Sequence, residues 1–276
     1  MATRTESSTE YVLGRTLAEH HRLLRQGRLI SQITRHFLEE IGVTPGMRVL
    51  DVGSGTGDVA LLAARTVGPS GRVVCVDTDS AALEIAKKRA SDEDLTNIVF
   101  HACDVHCYET SVAFNAVIGR CVLLHQADPL TLLEAVLKHV RSGGIIAFQE
   151  PWFSRAFSRP QAPLFREILG WLHSTLAASG FDGDIGERLP SLFVSAGLPR
   201  PKLRFEMLVD SGAESEIYDF CTDTVRSLLP RIEELGIATA EKIQLDTLAT
   251  RLRSEASALD TVIGVMPLMG AWSAKR

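Results

Sequence analysis

A glycine-rich turn between a buried strand and a helix constrains this chain more than any other feature of its sequence. The apolar run at 49–52 is typical of a strand that is buried on both faces. Glycines follow at Gly53, Gly55 and Gly57, and a helical apolar pattern resumes over 59–67. Such a turn exposes backbone N–H groups and a helix N-terminus, and it has no Cβ to keep a ligand away. The stretch therefore predicts a cradle for a nucleotide.

The spacing of these glycines separates two kinds of nucleotide site. A dinucleotide fingerprint, Gly-x-Gly-x-x-Gly, would place its third glycine at position 58, where this chain has Asp58. The spacing is instead Asp-x-Gly-x-Gly-x-Gly, beginning at Asp51. In this spacing and in its strand-turn-helix context, the stretch resembles the first motif of the class I S-adenosylmethionine-dependent methyltransferases. On the glycines alone, a dinucleotide site competes with this interpretation.

Two later strands extend the resemblance and add candidate cofactor ligands. The strand at 72–77 ends in Asp77, about 20 residues beyond the turn, where ribose-binding acids are found. Asp104 matches the adenine-binding position of the family, and the N-terminal helices, including Tyr11, match its lid. A simpler alternative is a plain turn followed by acids that cap helices. The predicted cofactor-binding residues are Tyr11, Asp51, Gly53, Ser54, Gly55, Asp77, Thr78, Asp104, Val105 and Arg120.

Alternating strand and helix patterns predict an α/β fold with a doubly wound, seven-stranded, mostly parallel sheet. Helices are expected over 80–90 and 129–140, and a closing antiparallel strand over 268–273 is expected with Pro267 at its start. The expected division is an N-terminal helical lid, a cofactor-binding core, two helical cap insertions and a closing strand. The corresponding ranges are 1–42 for the lid, 43–150 and 186–211 for the core, 151–185 and 212–260 for the cap, and 261–276 for the closing strand. The second insertion is expected to be broken at Pro230 and Gly236.

The charge and the composition of the chain argue against several classes of function. A net charge of −5 and a pI near 5.9 argue against a broad nucleic-acid footprint, which needs a basic face. No run of eighteen apolar residues and no apolar leader are present, so a cytoplasmic protein without membrane contact is expected. The five cysteines are expected to be reduced residues of the core. The segment from His101 to Cys107 does not have the spacing of a zinc ribbon or a zinc finger. No metal is therefore expected.

The chemistry should lie where the parallel strands end, because ligands of open α/β sheets bind there. His125 and Glu150 are the candidate catalytic residues, with His20 and His21 as further candidate bases. Trp152, Phe153 and Trp171 are the candidate contacts to a small aromatic or heteroaromatic acceptor. Methyl transfer from a sulfonium does not strictly require a base, since alignment and exclusion of water supply most of the catalysis.

Three functions compete at this point. The first is methyl transfer from S-adenosylmethionine to a small molecule such as an indole or a phenol, and the chain most resembles methyltransferases of bacterial secondary metabolism. The second is methylation of nucleic acid or protein, which the acidity disfavours. The third is a protein that binds the cofactor and does other work on the same fold. A homodimer is compatible with all three.

Overall fold

The computed structural model describes residues 16–276 of the chain. The helices are α1 (Leu17–Leu29), α2 (Ser31–Glu40), α3 (Asp58–Val67), α4 (Ser80–Asp92), α5 (Pro129–Leu137), α6 (Pro163–Ala178), α7 (Ile185–Ser195), α8 (Ile217–Glu234), α9 (Ala240–Ile243) and α10 (Leu245–Ala258). The strands are β1 (Arg48–Val52), β2 (Arg72–Asp77), β3 (Ile98–Ala102), β4 (Phe114–Arg120), β5 (Val140–Pro151), β6 (Phe157–Arg159), β7 (Lys202–Ser211) and β8 (Val262–Ala274).

These strands form one mixed sheet, in the order β3-β2-β1-β4-β5-β8, and β7 also pairs with β8. The first five strands pair in parallel, and β8 is antiparallel to β5, β6 and β7. The doubly wound, mostly parallel sheet predicted from the sequence is confirmed. Among residues 16–276 the sheet has eight strands rather than the seven predicted, because the three-residue β6 pairs with the first residues of β8.

Helices cover both faces of the sheet. One face packs against α2 and α3, where Phe37 meets Trp272 edge to face with ring centroids 6.1 Å apart. The other face packs against α5 and α7, around residues such as Phe148 and Phe193. A third apolar cluster joins α6, α8 and α10 to the first half of β8. The cap therefore has a core of its own, which β8 connects to the sheet.

Three predicted boundaries are wrong. Helix α5 ends at Leu137 rather than 140, because Val140 instead begins β5 and pairs with Phe114. Pro230 does not break α8, which continues to Glu234. The helix survives the loss of one backbone hydrogen bond because Leu228 and Ile232, on either side of the proline, are buried in the cap core.

Pro267 lies inside β8 rather than at its start. The strand pairing is irregular here, since the register with β7 shifts between Glu206 and Leu208, and Met266 has a positive φ of 48°. A bulge accommodates a proline because the missing N–H is not needed in the ladder. The Pro267 carbonyl accepts a hydrogen bond from the N–H of Trp152 at 2.9 Å.

Candidate functional site

One continuous cavity of about 650 Å³ connects the carboxyl ends of β1, β2 and β4 to the space between α6 and α8. Helix α1 forms a further part of the wall of this cavity. One part, here called the glycine end, is lined by Gly53, Ser54, Gly55, Thr56, Asp77, Thr78, Cys103, Asp104 and Val105. The other part, here called the apolar end, is lined by Phe153, Ala156, Phe165, Ile168, Leu169, Leu172, Leu176, Phe220, Cys221, Thr224, Leu228, Val265 and Met266.

The three glycines of the turn serve different purposes. All three have positive φ, which L side chains rarely adopt. A Cβ on Gly53 would lie 2.6 Å from a methyl group of Val122, and one on Gly57 would lie 2.9 Å from the Cβ of Ala86. A Cβ on Gly55 would meet no atom within 4 Å. The outer glycines allow close packing, whereas Gly55 presents bare backbone beside the cavity.

Asp77 lines the glycine end and also holds the turn in place. Its Oδ2 accepts a hydrogen bond from the N–H of Gly55 at 2.7 Å. Its Oδ1 accepts one from the N–H of Asp79 at 2.8 Å. The carboxylate therefore fixes two loops at the ends of neighbouring strands. The sequence predicted only its ribose-binding role.

Asp104 and Val105 lie on the wall of the glycine end, next to β3. The Oδ1 of Asp104 accepts hydrogen bonds from the backbone N–H of His106 at 2.9 Å and from the Nδ1 of its ring at 2.7 Å. Thr78 and Ser54 line the same end. Tyr11, the remaining predicted cofactor contact from the lid, lies outside the described residues.

Asp51 lies behind the turn and does not line the cavity. Its side chain is 1% exposed, and burial raises its pKa to about 8 although Arg120 opposes the shift. Arg120 does line the cavity, donating to Thr34 Oγ1 at 2.6 Å and lying 3.4 Å from Asp58 Oδ2. Asp51 is kept from the cavity wall because β1 is buried beneath the turn that it supports, and its contact with the cofactor stays a prediction.

A buried polar group on α1 also lines the cavity, and it was absent from the predicted site. Arg22 donates to both carboxylate oxygens of Glu19 at 2.7 Å and to Gln26 Oε1 at 2.6 Å. All three side chains are less than a tenth exposed. The helical i, i+3 and i+7 spacing of a carboxylate, a guanidinium and an amide was the available signal.

Helix α1 is attached to both the sheet and the cap. His20 Nε2 lies 3.0 Å from Asp79 Oδ2 at the start of α4, and Arg25 Nε donates to Asp223 Oδ2 on α8 at 2.8 Å. At Gly27, a Cβ would lie only 2.2 Å from the carboxylate of Asp58. His20 does not line the cavity, and His21 is exposed. Neither histidine is placed to act as a base there.

His125 does line the cavity, in the short 3-10 turn Leu123–His125. Its ring packs edge to face on Phe181, with centroids 5.5 Å apart. Burial, and secondarily the charge of Arg22, lower its pKa to about 3. The imidazole is therefore neutral at physiological pH, and it is a weak proton acceptor.

Glu150 is buried at 0% exposure and does not line the cavity, so its predicted catalytic role finds no support in its placement. Its Oε1 accepts hydrogen bonds from the N–H groups of Val122 and Leu123 at 2.9 Å, and its Oε2 accepts one from Leu124 at 3.3 Å. Burial raises its pKa to about 7, against the effect of these three amides. Glu150 therefore positions the turn that carries His125.

The structure places only one of the three predicted acceptor contacts on the cavity. Phe153 lines the apolar end. Trp152 instead packs edge to face on Phe205 at 6.0 Å, with the guanidinium of Arg155 4.3 Å above its ring. Trp171 is buried in the cap core. Successive side chains of an α-helix are turned by about 100°. Helix α6 therefore directs Leu172 into the cavity and Trp171 into the cap core.

No group of three or more His, Cys, Asp or Glu side chains within residues 16–276 is placed to hold a metal ion. All five cysteines are free thiols, and Cys103, Cys121 and Cys221 line the cavity. Burial raises the pKa of Cys121 and Cys221 to about 12. None of the helices in the same range is long and apolar enough to cross a membrane.

The glycine end suits a nucleoside carrying an amino-acid chain. It offers bare backbone at Gly55, the carboxylates of Asp77 and Asp104, and the buried Thr56, whose Oγ1 has no hydrogen-bond partner among the described residues. A carboxylate at the end of β2 is the expected acceptor for ribose hydroxyls. These residues fit S-adenosylmethionine.

The fold and this site together define a class I S-adenosylmethionine-dependent methyltransferase. Residues 43–178 match the family model described as a methyltransferase domain, and the chain belongs to this family. S-adenosylmethionine is accordingly its cofactor.

Known proteins similar to this chain act on different molecules. The C-methyltransferase UbiE of ubiquinone/menaquinone biosynthesis from Ectopseudomonas mendocina is 32% identical over 49% of this chain and 51% of its own length. A trans-aconitate 2-methyltransferase from Azoarcus is 25% identical over 79% and 78%. A Haemonchus contortus phosphoethanolamine N-methyltransferase, solved with S-adenosylhomocysteine, shares the fold at 18% identity, with a TM-score of 0.54 over 88% of this chain and 52% of that one.

The chain spans about half the length of two of the curated relatives that it matches.

Proposed function

We propose that this chain transfers the methyl group of S-adenosylmethionine to a small apolar acceptor with an aromatic or heteroaromatic ring, such as a phenol or an indole. One observation carries the proposal: the cavity runs without interruption from the glycine turn to the apolar end. A cofactor in the first part and an acceptor in the second would share one enclosed space. We also propose that the reaction belongs to cytoplasmic natural-product biosynthesis.

The chemistry of the apolar end supports an uncharged acceptor. Two helical stripes line it: Phe165, Ile168 and Leu172 come from α6, and Phe220 and Leu228 come from α8. None of the described side chains that line it between 151 and 266 is charged. An ionised acceptor would lose its hydration there without gaining a partner, which costs several kcal/mol. A ring that packs against phenylalanine and leucine side chains meets no such cost.

The names of the relatives point in two directions. UbiE acts in quinone biosynthesis, whereas the Azoarcus relative is named for trans-aconitate, a multiply charged acid. The apolar end favours the ring over the acid. Nucleic acid is disfavoured by the net charge of −5. A protein that binds the cofactor without methylating remains the competing function, and a transfer assay separates the two.

In this reaction the protein would act by aligning the cofactor and the acceptor rather than by transferring a proton. When bound, S-adenosylmethionine supplies an electrophilic methyl group on a sulfonium. Asp77 and the glycine turn would hold the cofactor, and the apolar end would orient the acceptor. Helix α1 would exclude water, which strengthens every electrostatic interaction within the site. His125 is neutral and weakly basic, so positioning carries most of the catalysis.

The same arrangement supports a proposed division of the chain into a lid, a core and a cap. Residues 1–42 would form the lid, 43–150 and 186–211 with the closing strand the core, and 151–185 with 212–260 the cap. Helix α1 bridges both other parts through side chains, by His20 and Arg25.

The proposal is tested by filling the apolar end. Leu172→Trp should leave the cofactor dissociation constant within about twofold and lower kcat/KM for a phenol or indole acceptor by roughly a hundredfold, about 2.7 kcal/mol. Ser174→Trp is the matched control, because it adds the same bulk to an exposed position of α6.

The assay follows labelled methyl transfer to a panel of phenols, indoles and polycarboxylates, together with calorimetric titration of the cofactor. Turnover of polycarboxylates alone would reject the aromatic acceptor. Cofactor binding without transfer to any acceptor would favour the non-methylating function. Equal losses in Leu172→Trp and Ser174→Trp would show that the apolar end is not the acceptor site.

A further inference from the structure

Strand β7 has its apolar side facing solvent. Leu203, Phe205 and Val209 share one face of the strand, and their exposed fractions are 48%, 42% and 49%. On the opposite face, Arg204 and Glu206 are half-buried against α2. An edge strand of a monomer is expected to show the reverse, with apolar residues inside and charged residues outside.

The polar face is already occupied by contacts within the chain. Arg204 donates to Glu40 at 2.9 Å and to Glu206 at 2.8 Å, and His36 Nδ1 lies 3.0 Å from Glu206. These bonds fix which face of β7 meets α2. Reversing the strand would break all of them, so the apolar face stays outward.

The backbone edge of β7 is also open. The strand pairs with β8 along one side, and no other described strand pairs with it. An open edge next to an exposed apolar row is a template for another strand. Natural proteins avoid such a combination unless a partner covers it.

The order of side chains along β7 is complementary to itself. It reads Lys-Leu-Arg-Phe-Glu-Met-Leu-Val-Asp from 202 to 210, basic at the start and acidic at the end. Antiparallel pairing of two copies about Glu206 would place Lys202 opposite Asp210 of the partner subunit. On the apolar face, Leu203 would lie opposite Val209 of the partner subunit. Glu206 would lie opposite Glu206 of the partner subunit, and Arg204 of each copy, diagonally beside these two glutamates, would offset their repulsion.

We propose that β7 is a homodimer interface in which two copies pair antiparallel about a two-fold axis at Glu206. A two-fold contact requires a surface that complements itself, and this strand meets that requirement in both charge and apolarity. The two sheets would join into one. This inference does not depend on which acceptor the protein methylates.

The first test places a charge in the apolar row. Phe205→Glu should turn a dimer into a monomer in sedimentation velocity runs over a wide range of concentrations. Val112→Glu is the matched control, because Val112 is 37% exposed in the loop before β4, in the parallel half of the sheet. Circular dichroism should show that both variants are folded, and Val209→Asp should repeat the effect if Phe205→Glu is not folded.

The second test uses the charges at the two ends of the strand. Lys202 and Asp210 of one copy are about 27 Å apart, too far to pair with each other. Lys202→Asp should raise the dimer dissociation constant by roughly tenfold, because two symmetric pairs become repulsive. Combining it with Asp210→Lys should restore the wild-type constant, since the pairs are then re-formed in reverse.

A wild-type protein that stays monomeric at high concentration would overturn the proposal. So would a dimer that is unaffected by Phe205→Glu, or a double charge reversal that fails to restore dimerisation.

Discussion

The two ends of the cavity are built in opposite ways. At the glycine end, short loops place polar groups, and Asp77 bonds directly to the backbone of Gly55. At the apolar end, two long helices place hydrocarbon side chains. The hydroxyl of Thr224 there donates a hydrogen bond to the carbonyl of Phe220 in its own helix. Hydrogen bonds fix the position of a ligand, whereas apolar packing tolerates many ligands of suitable size. We therefore expect one defined cofactor and propose a broader class of acceptors.

The strongest test of this contrast is Gly55→Ala. A Cβ here would enter the open space of the glycine end, and we expect the cofactor dissociation constant to rise by roughly a hundredfold, about 2.7 kcal/mol. Gly42→Ala is the matched control, because Gly42 also has positive φ and open space around its Cβ position. Both variants should lose about 1–2 kcal/mol of stability. Equal cofactor affinity in the two variants would contradict the assignment.

Asp77→Ala should weaken cofactor binding by about 1.5 to 3 kcal/mol, because a charge-assisted acceptor for the ribose is lost. It should also loosen the turn, since Gly55 loses its hydrogen-bond partner. Asp77→Asn separates the two effects, because an amide oxygen can still accept from Gly55. Calorimetry and thermal unfolding of both variants measure them. An unchanged dissociation constant in folded Asp77→Ala would show that the ribose is held elsewhere.

The packing of α1 over the cavity is tested by replacing two helical glycines, one at a time, with alanine. Gly27→Ala should destabilise the protein by about 1–3 kcal/mol, because its Cβ would overlap the carboxylate of Asp58. Gly170→Ala on α6 meets no atom within 4 Å and should instead stabilise by up to about 1 kcal/mol. Denaturant unfolding gives both values. A destabilisation confined to Gly170→Ala would mean that α1 does not pack as described.

A pH-dependent effect is expected for Glu150, which connects the sheet to the His125 turn. Its pKa in the folded protein, about 7, lies above the ordinary value of 4.5. Between pH 4.5 and 7, the carboxyl group of Glu150 is therefore protonated in the folded state and ionised in the unfolded chain. This contribution to stability is complete below pH 4.5 and is lost as the pH rises through 7.

Glu150→Gln keeps an acceptor for the turn but cannot ionise. Relative to wild type, its free energy of unfolding should rise by about 3 kcal/mol between pH 4.5 and 8, since each unit of pKa difference corresponds to about 1.4 kcal/mol. Urea unfolding at several pH values measures this difference. Because the variant leaves Asp51 unchanged, the parallel loss from its raised pKa cancels in the comparison. A difference that does not change with pH would contradict the buried, ionisable role.

The sequence revealed much of the glycine end and little of the apolar end, for a physical reason. The turn and Asp77 are set by neighbours along the chain, so their pattern is visible in the sequence. Trp171 was predicted to face the acceptor, but α6 is apolar on two sides and only its packing decides which side faces the cavity. Glu150 reaches a turn 26 to 28 residues earlier in the chain, a contact that no local pattern contains.

The position of β8 has a consequence for how the chain acquires its fold. This strand lies between β5 and β7, and it also carries Val265 and Met266 to the apolar end. During synthesis on the ribosome, β5 must keep an unpaired edge until both cap insertions and β7 have been made. Pairings of such high sequence separation form slowly, and they leave strand edges open to other chains in the meantime. We therefore expect the parallel half of the sheet to form first, and the ligand cavity to close only in the last step of folding.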